Sequence, residues 1–323
     1  MARIVTLTMN PALDIATATD RIVPSHKLRC AAPRYDPGGG GINVARAVHA
    51  LGGDALAIFP AGGAAGEMIR RLLREEGVMH EAIAISGSTR ESLAVVERRS
   101  GAQYRFILPG PEIGRADQER CLECLSAALP QASYVVASGS LPLGAPQGFY
   151  TRVGALVKEH GKFFVLDTSG AALKQAGHGV HLLKPSLREL EELAGNPITC
   201  EHDEEEAVRK LIAEGRSEIV VLSLGDRGAL VMTAQQSERV RAIPVPIEST
   251  IGAGDSMLAG VVLSLSRGRS LGEAVRFGVA AGAAALLGSG TQLCRRDDTE
   301  RLYQQISLSS SARTTGPSQP CPD

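Results

Sequence analysis

The chain has 323 residues, 44% hydrophobic and 21% charged, with a formal net charge of −1. That is enough apolar material for a sizeable core, and too little net charge for a global field that recruits nucleic acid or an anionic membrane. With no Trp and 3% aromatics, stacking platforms for single strands are argued against as well, so any anion recognition must be local.

The opening MARIVTLTMNPALD turns polar too soon for a signal peptide, and no apolar stretch reaches the ~18 residues of a membrane span. RIVTLTM (3–9) reads as a buried strand. Residues 12–36 alternate polar and apolar positions around Pro24 and Pro33, without a helical pattern. The stretch DPGGGGINVARAVHALGG (36–53) then runs from four glycines into a helix, and GEMIRRLLREEG (66–77) is a second, amphipathic one. RESLAVVERRSGAQYRFIL (90–108) reads as two strands about the turn Ser100-Gly101. With 12–36 it predicts a small β-sheet standing off the main body, either a lid or an ordinary edge hairpin.

Cys121 and Cys124 form C-x-x-C, but no second pair or His cluster completes a zinc site. The six scattered cysteines read as thiols of a reducing, cytoplasmic compartment. SYVVAS (133–138), FFVLD (163–167), HLLK (181–184) and EIVVLSL (218–224) continue the buried strands, with a helix over 203–215. Strands alternating with helices predict an α/β fold, a mainly parallel sheet covered on both faces, with ligands beyond the carboxyl ends of the strands. The expected organisation is an α/β domain from 1–11, 37–89 and 109–307, the small sheet from 12–36 and 90–108, and a Ser/Thr/Pro-rich disordered tail over 308–323.

Two glycine-rich stretches carry the chemistry. In STIGAGDSM (249–257), Gly252, Ala253 and Gly254 leave backbone N–H groups bare at the start of a helix. There the helix dipole favours anionic oxygen, and Asp255 beside them is placed to accept a proton from a hydroxyl. One carboxylate with an anion hole suits phosphoryl transfer to an alcohol; the plainer alternative is Asp255 as an N-cap. The run Gly38 to Gly41 matches neither a Walker loop nor a dinucleotide fingerprint, so a close approach to its backbone or a hinge remains.

GGGINVARAVHALGGDALAIFPAGG (39–63) and STIGAGDSMLAGVV (249–262) resemble the two signatures of the PfkB carbohydrate kinases, of the ribokinase-like superfamily. PGGGGINVARA, QYRFILPG, SGSLP and RFGVAAGAA are most similar to the minor ATP-dependent 6-phosphofructokinase branch, over residues 1 to about 306. The resemblance implies a ribokinase-like fold with a β lid that pairs across a homodimer. It implies transfer from Mg²⁺-ATP to fructose 6-phosphate, giving fructose 1,6-bisphosphate. Tagatose 6-phosphate and fructose 1-phosphate are the alternative substrates, and a non-catalytic sugar-phosphate sensor is the alternative class.

Residue by residue, the resemblance implies Asp255 as catalytic base and Gly252, Ala253 and Gly254 as the anion hole. Asp14, Gly39 and Asn43 would grip sugar hydroxyls, with Ser140 beside them. Arg90, Lys27 and Arg29 would meet the substrate phosphate, with a neighbouring subunit's site as the alternative for Lys27 or Arg29. Lys184, Ser186, Ser223, Gly225 and Gly228 would contact the nucleotide, although a hairpin turn explains the two glycines equally well. Ser249, Ile251 and Gly290 would hold a monovalent cation such as K⁺. Relatives usually carry Asn-x-x-Glu after Lys-Pro, to organise water around Mg²⁺. Here Ser186 replaces the Asn while Glu189 remains, which also spells a capping box and implies altered magnesium dependence.

Overall fold

The computed structural model describes residues 3–177 and 179–311. In chain order the first half holds β1 (Arg3–Leu7), β2 (Ala12–Thr19), β3 (Arg34–Gly38), α1 (Gly40–Ala50), β4 (Ala55–Ala61), α2 (Gly63–Glu75), β5 (Met79–Ala84), β6 (Arg90–Glu97), β7 (Gln103–Ile107) and α3 (Arg115–Ala128). The second half holds β8 (Ala132–Ser138), α4 (Phe149–Glu159), β9 (Phe163–Asp167), α5 (Gly170–Gln175), β10 (Val180–Leu183), α6 (Leu187–Ala194), α7 (Glu201–Ala213), β11 (Ser217–Ser223), β12 (Ala229–Met232), β13 (Ser237–Val240), α8 (Ala253–Ser266), α9 (Leu271–Leu286) and α10 (Arg296–Ser311). The last helix passes Leu308, where a disordered tail was expected to begin; residues 312–323 lie outside the described residues.

Nine strands form the main sheet, in the order β13-β12-β11-β10-β9-β8-β1-β4-β5. From β5 to β11 every pairing is parallel, and only the β12–β13 ribbon at one edge runs antiparallel. The strands read as continuous apolar runs because both faces are covered. Val165 and Val221 pack into one hydrophobic cluster with α1, α8 and α9, while their neighbours Phe164 and Val220 pack into a second with α3, α4 and α7. Chain order reverses on either side of β1, so the gap between the carboxyl ends of β1 and β8 is the crevice where such sheets hold ligands.

The second sheet, β3-β2-β6-β7, is built from the segments expected to stand apart. β2 and β6 pair in parallel, setting Ala12 opposite Arg90 and Asp14 opposite Ser92. β7 returns antiparallel with Arg105 opposite Ala94. Polar side chains at alternate positions thus share a face and reach the crevice.

α8 and α9 pack closely through small residues. A Cβ built on Gly278 would sit 2.8 Å from the Met257 carbonyl oxygen and overlap Val261. This contact fixes α8, whose first turn carries Asp255. Gly278→Ala gains up to ~1 kcal/mol in helix propensity but overpacks at a cost of ~1–3 kcal/mol. Because backbone blocks the new methyl, we expect a net loss of ~1 kcal/mol or more, read as a lower urea midpoint with unchanged slope. A variant as stable as the parent would contradict this packing.

Candidate active site

The carboxyl ends of the parallel strands converge. Asn10 follows β1, Ser140 follows β8, Asp167 ends β9, Lys184 follows β10 and Ser223 ends β11. A cavity of about 580 Å³ opens at the β1–β8 crevice. It is lined by Asp14, Asn43, Arg90, Arg105 and Asp255, with Gly39, Ser140 and Gly252 at its edge. Lys27 and Arg29 are exposed, in a segment without regular structure, and do not line it.

Asp255 is not the N-cap of α8. Gly252 caps it, in the left-handed region at φ 77°, with no side-chain cap, and Asp255 is the third helical residue. A glycine is required there because φ is positive and any Cβ would press on Leu293. Its bare backbone leaves the first N–H groups of α8 free for an external anion. Asn43 Nδ2, from the first turn of α1, donates to Asp255 Oδ2 at 3.0 Å. Burial raises the Asp255 carboxyl above its ordinary range, while Asn43 and Lys184 draw it back.

Close packing accounts for the four-glycine run. Gly39 has φ 108°, and a Cβ on Gly38 would overlap the Asp14 carboxylate, whereas one on Gly40 would overlap Ser138. The run lets β3 turn into α1 against β1 and β8 while bringing Asn43 to the cavity.

On the small sheet, Arg90 donates from Nε to Asn10 Oδ1 at 3.1 Å and from Nη2 to the Asn10 carbonyl at 3.2 Å. Asn10 Nδ2 in turn donates to Ser140 Oγ at 3.2 Å, joining two expected substrate residues through a third. Asp14 is raised to about 6 by burial, against the pull of Arg90 and Arg105.

Behind Asp255, Lys184 Nζ lies 3.1 Å from Asp167 Oδ2, with both side chains largely buried. Burial raises Asp167 to about 6 despite Lys184. Burial pulls the lysine down most, but the carboxylates of Asp167, Glu189 and Asp255 together outweigh it, so its pKa stands above the usual lysine value. Nζ is 3.7 Å from where a Cβ on Gly254 would be, which sets the ammonium beside the N-terminus of α8.

Ser186 caps α6 in a complete capping box. It accepts from the Glu189 N–H at 3.3 Å, and Glu189 Oε2 accepts from the Ser186 N–H at 2.8 Å and from its hydroxyl at 2.9 Å. Ser186 also bridges Ser223, bringing two expected nucleotide residues side by side. Gly225 faces open space, but a Cβ on Gly228 would strike β13 and the residues just after it, so Gly228 is explained by that packing. Ser249 Oγ donates to the Gly290 carbonyl at 2.5 Å and accepts from the Ile251 N–H at 3.2 Å, so these three residues are neighbours. Cys121 is buried, pushed up to about 12 mainly by that burial, and is an inert core thiol.

Asn10, Ser92, Arg105, Thr250 and Asp167 are the site residues that sequence reasoning missed. The one signal was position: Asn10 and Asp167 stand at the carboxyl ends of strands, where polar residues reach ligands.

A parallel sheet with a buried acid and bare amides at one helix N-terminus, walled by a small sheet that turns Arg90 and Arg105 to the cavity, defines a ribokinase-like phosphotransferase arrangement. The profile of the pfkB family carbohydrate kinases matches residues 7–298, and the chain belongs to that family. It is 51% identical over 302 residues to "ATP-dependent 6-phosphofructokinase isozyme 2" of Mycobacterium tuberculosis, covering 94% of this chain and 89% of the relative. Among solved structures, Escherichia coli phosphofructokinase-2 in complex with potassium superposes with a TM-score of 0.90 at 43% identity. The same enzyme in complex with fructose-6-phosphate gives 0.88 at 41%; each covers 95% of this chain and 100% of its own.

Asp14 carries a stability consequence. Its folded pKa of about 6 lies above the unfolded value, so the native state holds the proton longer. Ionising it costs stability as pH rises from about 4 through 6. Asp14→Asn removes that cost, and we expect it to stabilise by ~1 kcal/mol at pH 8, by roughly half as much at pH 5 and by almost nothing at pH 3, in urea titrations. A variant less stable than wild type at pH 8 would overturn the assigned burial cost.

Proposed function

We propose that this chain transfers the γ-phosphoryl group of MgATP to the free primary hydroxyl of fructose 6-phosphate, giving fructose 1,6-bisphosphate, in the cytoplasm. The observation that carries this is Asp255, held by Asn43 at the N-terminus of α8, which has no side-chain cap, within a cavity that Arg90 and Arg105 also line. Asp255 takes the hydroxyl proton as the oxygen attacks, while the amides of Gly252, Ala253 and Gly254 face the charge that builds on the transferring phosphoryl. Asp14 and the Gly39 segment hold sugar hydroxyls. Arg90, already anchored on Asn10, turns its guanidinium to the sugar's phosphate with Arg105.

On the nucleotide side, Lys184 neutralises phosphate oxygen beside Gly254, and Ser223 and Gly225 border the nucleotide. The donor set fits Mg²⁺ carried by the nucleotide: among the described residues no three His, Cys, Asp or Glu side chains cluster as a metal cage. Glu189 would hold the ion through water, as Mg²⁺ sites commonly retain waters. Bound there, Mg²⁺ supplies charge neutralisation on the phosphates. The carbonyl and hydroxyl groups around Ser249, Ile251 and Gly290 suit K⁺.

We further assign 12–36 and 90–108 to a lid that pairs across a homodimer. Exposed Leu28, Tyr104 and Phe106 support that assignment, and it would deliver Lys27 and Arg29 to the partner's site.

An ADP-release assay with fructose 6-phosphate, tagatose 6-phosphate, fructose 1-phosphate and fructose tests the substrate. Fructose 6-phosphate should show the highest kcat/KM and bare fructose a poor one. Preference for fructose 1-phosphate would redirect the reading to a 1-phosphofructokinase, and binding without turnover to a sensor. Asp255→Asn should lower kcat by about 10²–10⁴-fold with KM little changed; near-normal turnover would remove Asp255 as the base. Ser186→Asn, which keeps a good N-cap, should lower the Mg²⁺ concentration for half-maximal rate. An unchanged requirement would exclude Ser186 from ordering the metal's water.

A further inference from the structure

Arg46 is buried in α1, one turn beyond Asn43, and has no place in the reaction described above. All five of its N–H donors are engaged. Nε and Nη2 bond the two oxygens of Glu76 at 2.7 and 2.6 Å, and Nη2 also meets Asp36 Oδ1 at 3.3 Å. Nη1 donates to the Pro37 carbonyl at 2.9 Å and to Asn43 Oδ1 at 3.4 Å. Asp36 is itself buried and fixed by Arg34 at 2.8 Å and by the Thr291 hydroxyl. The guanidinium is therefore located by groups that do not include Asp255.

A carboxamide is nearly symmetric in shape, so its shape does not decide which end faces a neighbour. An ionised Asp255 selects the NH₂ end of Asn43. Once it has taken the substrate's proton, however, its neutral carboxyl can donate, and it accepts Asn43 equally well turned over with Oδ1 inward. A guanidinium only donates, so Arg46 accepts one orientation: Oδ1 toward itself and Nδ2 toward Asp255.

We propose that Arg46 is a positioning residue for phosphoryl transfer, which keeps the Asn43 amide donating to Asp255 in both protonation states of that acid. This rests on Asp255 acting as the base. Arg46 touches neither sugar nor nucleotide; it acts through Asn43. Without it the amide follows the proton, and the donor that orients the carboxylate is lost in part of the molecules at each turnover.

Arg46→Lys keeps the charge but cannot reach all five acceptors with its single ammonium. We expect kcat to fall by about 10-fold or more, as a misplaced catalytic group costs up to 10²-fold, with KM for MgATP and sugar phosphate changed less than about threefold. Glu76→Gln, which weakens the outer ion pair and leaves the Asn43 contact, should lower the melting temperature and keep kcat within about twofold. A folded Arg46→Lys with wild-type kcat would overturn the proposal, as would equal losses in kcat for both variants.

A second arm needs no Arg46 variant and no activity. In Asp255→Asn, residue 255 can donate or accept, like the neutral acid. Nuclear Overhauser contacts from the Asn43 side-chain amide protons, in protein labelled with ¹⁵N-Asn, should still point to residue 255. If they are lost in that variant while present in the wild type, the amide turns over freely and the proposal fails. Absence of any kinase activity in the wild type would instead strike the proposed function, leaving the amide measurement to stand alone.

Discussion

The hydrogen bond from Asn43 to Asp255 joins residues 212 apart in sequence, and much of the fold serves to make it. Each lies in the first turn of a helix that follows a glycine-rich segment. The two helices belong to one hydrophobic cluster on one face of the sheet, so their N-termini arrive at the same crevice. A buried carboxylate is costly unless it is paired. Here an amide on one side and the positive end of α8 on the other reduce that cost without neutralising the acid, and so leave it able to take a proton.

The same tension recurs around the cavity. Asp14, Asp167 and Asp255 are all pushed upward, in each case mainly by burial. None has a fully satisfying local partner in the way that Arg46 has: Asp14 feels Arg90 and Arg105 across space, and Asp167 leans on Lys184. Arg46 sits on the other side of this division. Its donors are used up within the protein, which marks it as scaffold for the acid rather than as a ligand-binding cation.

How much of this was legible in the sequence follows from where the physical signals lie. Strands buried on both faces announce themselves as apolar runs, so β8, β9 and β11 stood out, and Ser100-Gly101 marked the turn between β6 and β7. The parallel pairing of β2 with β6 left no local trace, because it joins residues 78 apart, such as Ala12 and Arg90. Asp255 was legible because small residues surround it. The alternative of Asp255 as N-cap could not be decided there, since only the left-handed φ of Gly252 shows that the helix begins at Ala253. Arg105 and Arg46 were invisible for opposite reasons. One looked like any exposed arginine on a strand, and the other like the polar position of an amphipathic helix, until the partners that define them came from distant segments.

The placement of cations has a further consequence for the base. Arg105 lowers the proton affinity of both Asp14 and Asp255, and Lys184 lowers that of Asp255. These charges favour the ionised form of Asp255 and offset part of the effect of burial. Under the proposed function, phosphate bound at Arg105 and at Lys184 would bring negative charge that offsets those fields at Asp255. The proton affinity of Asp255 would then rise with both substrates bound, when a hydroxyl proton must be drawn away. A base flanked by the cations proposed to recognise the substrates would thus become stronger as they bind.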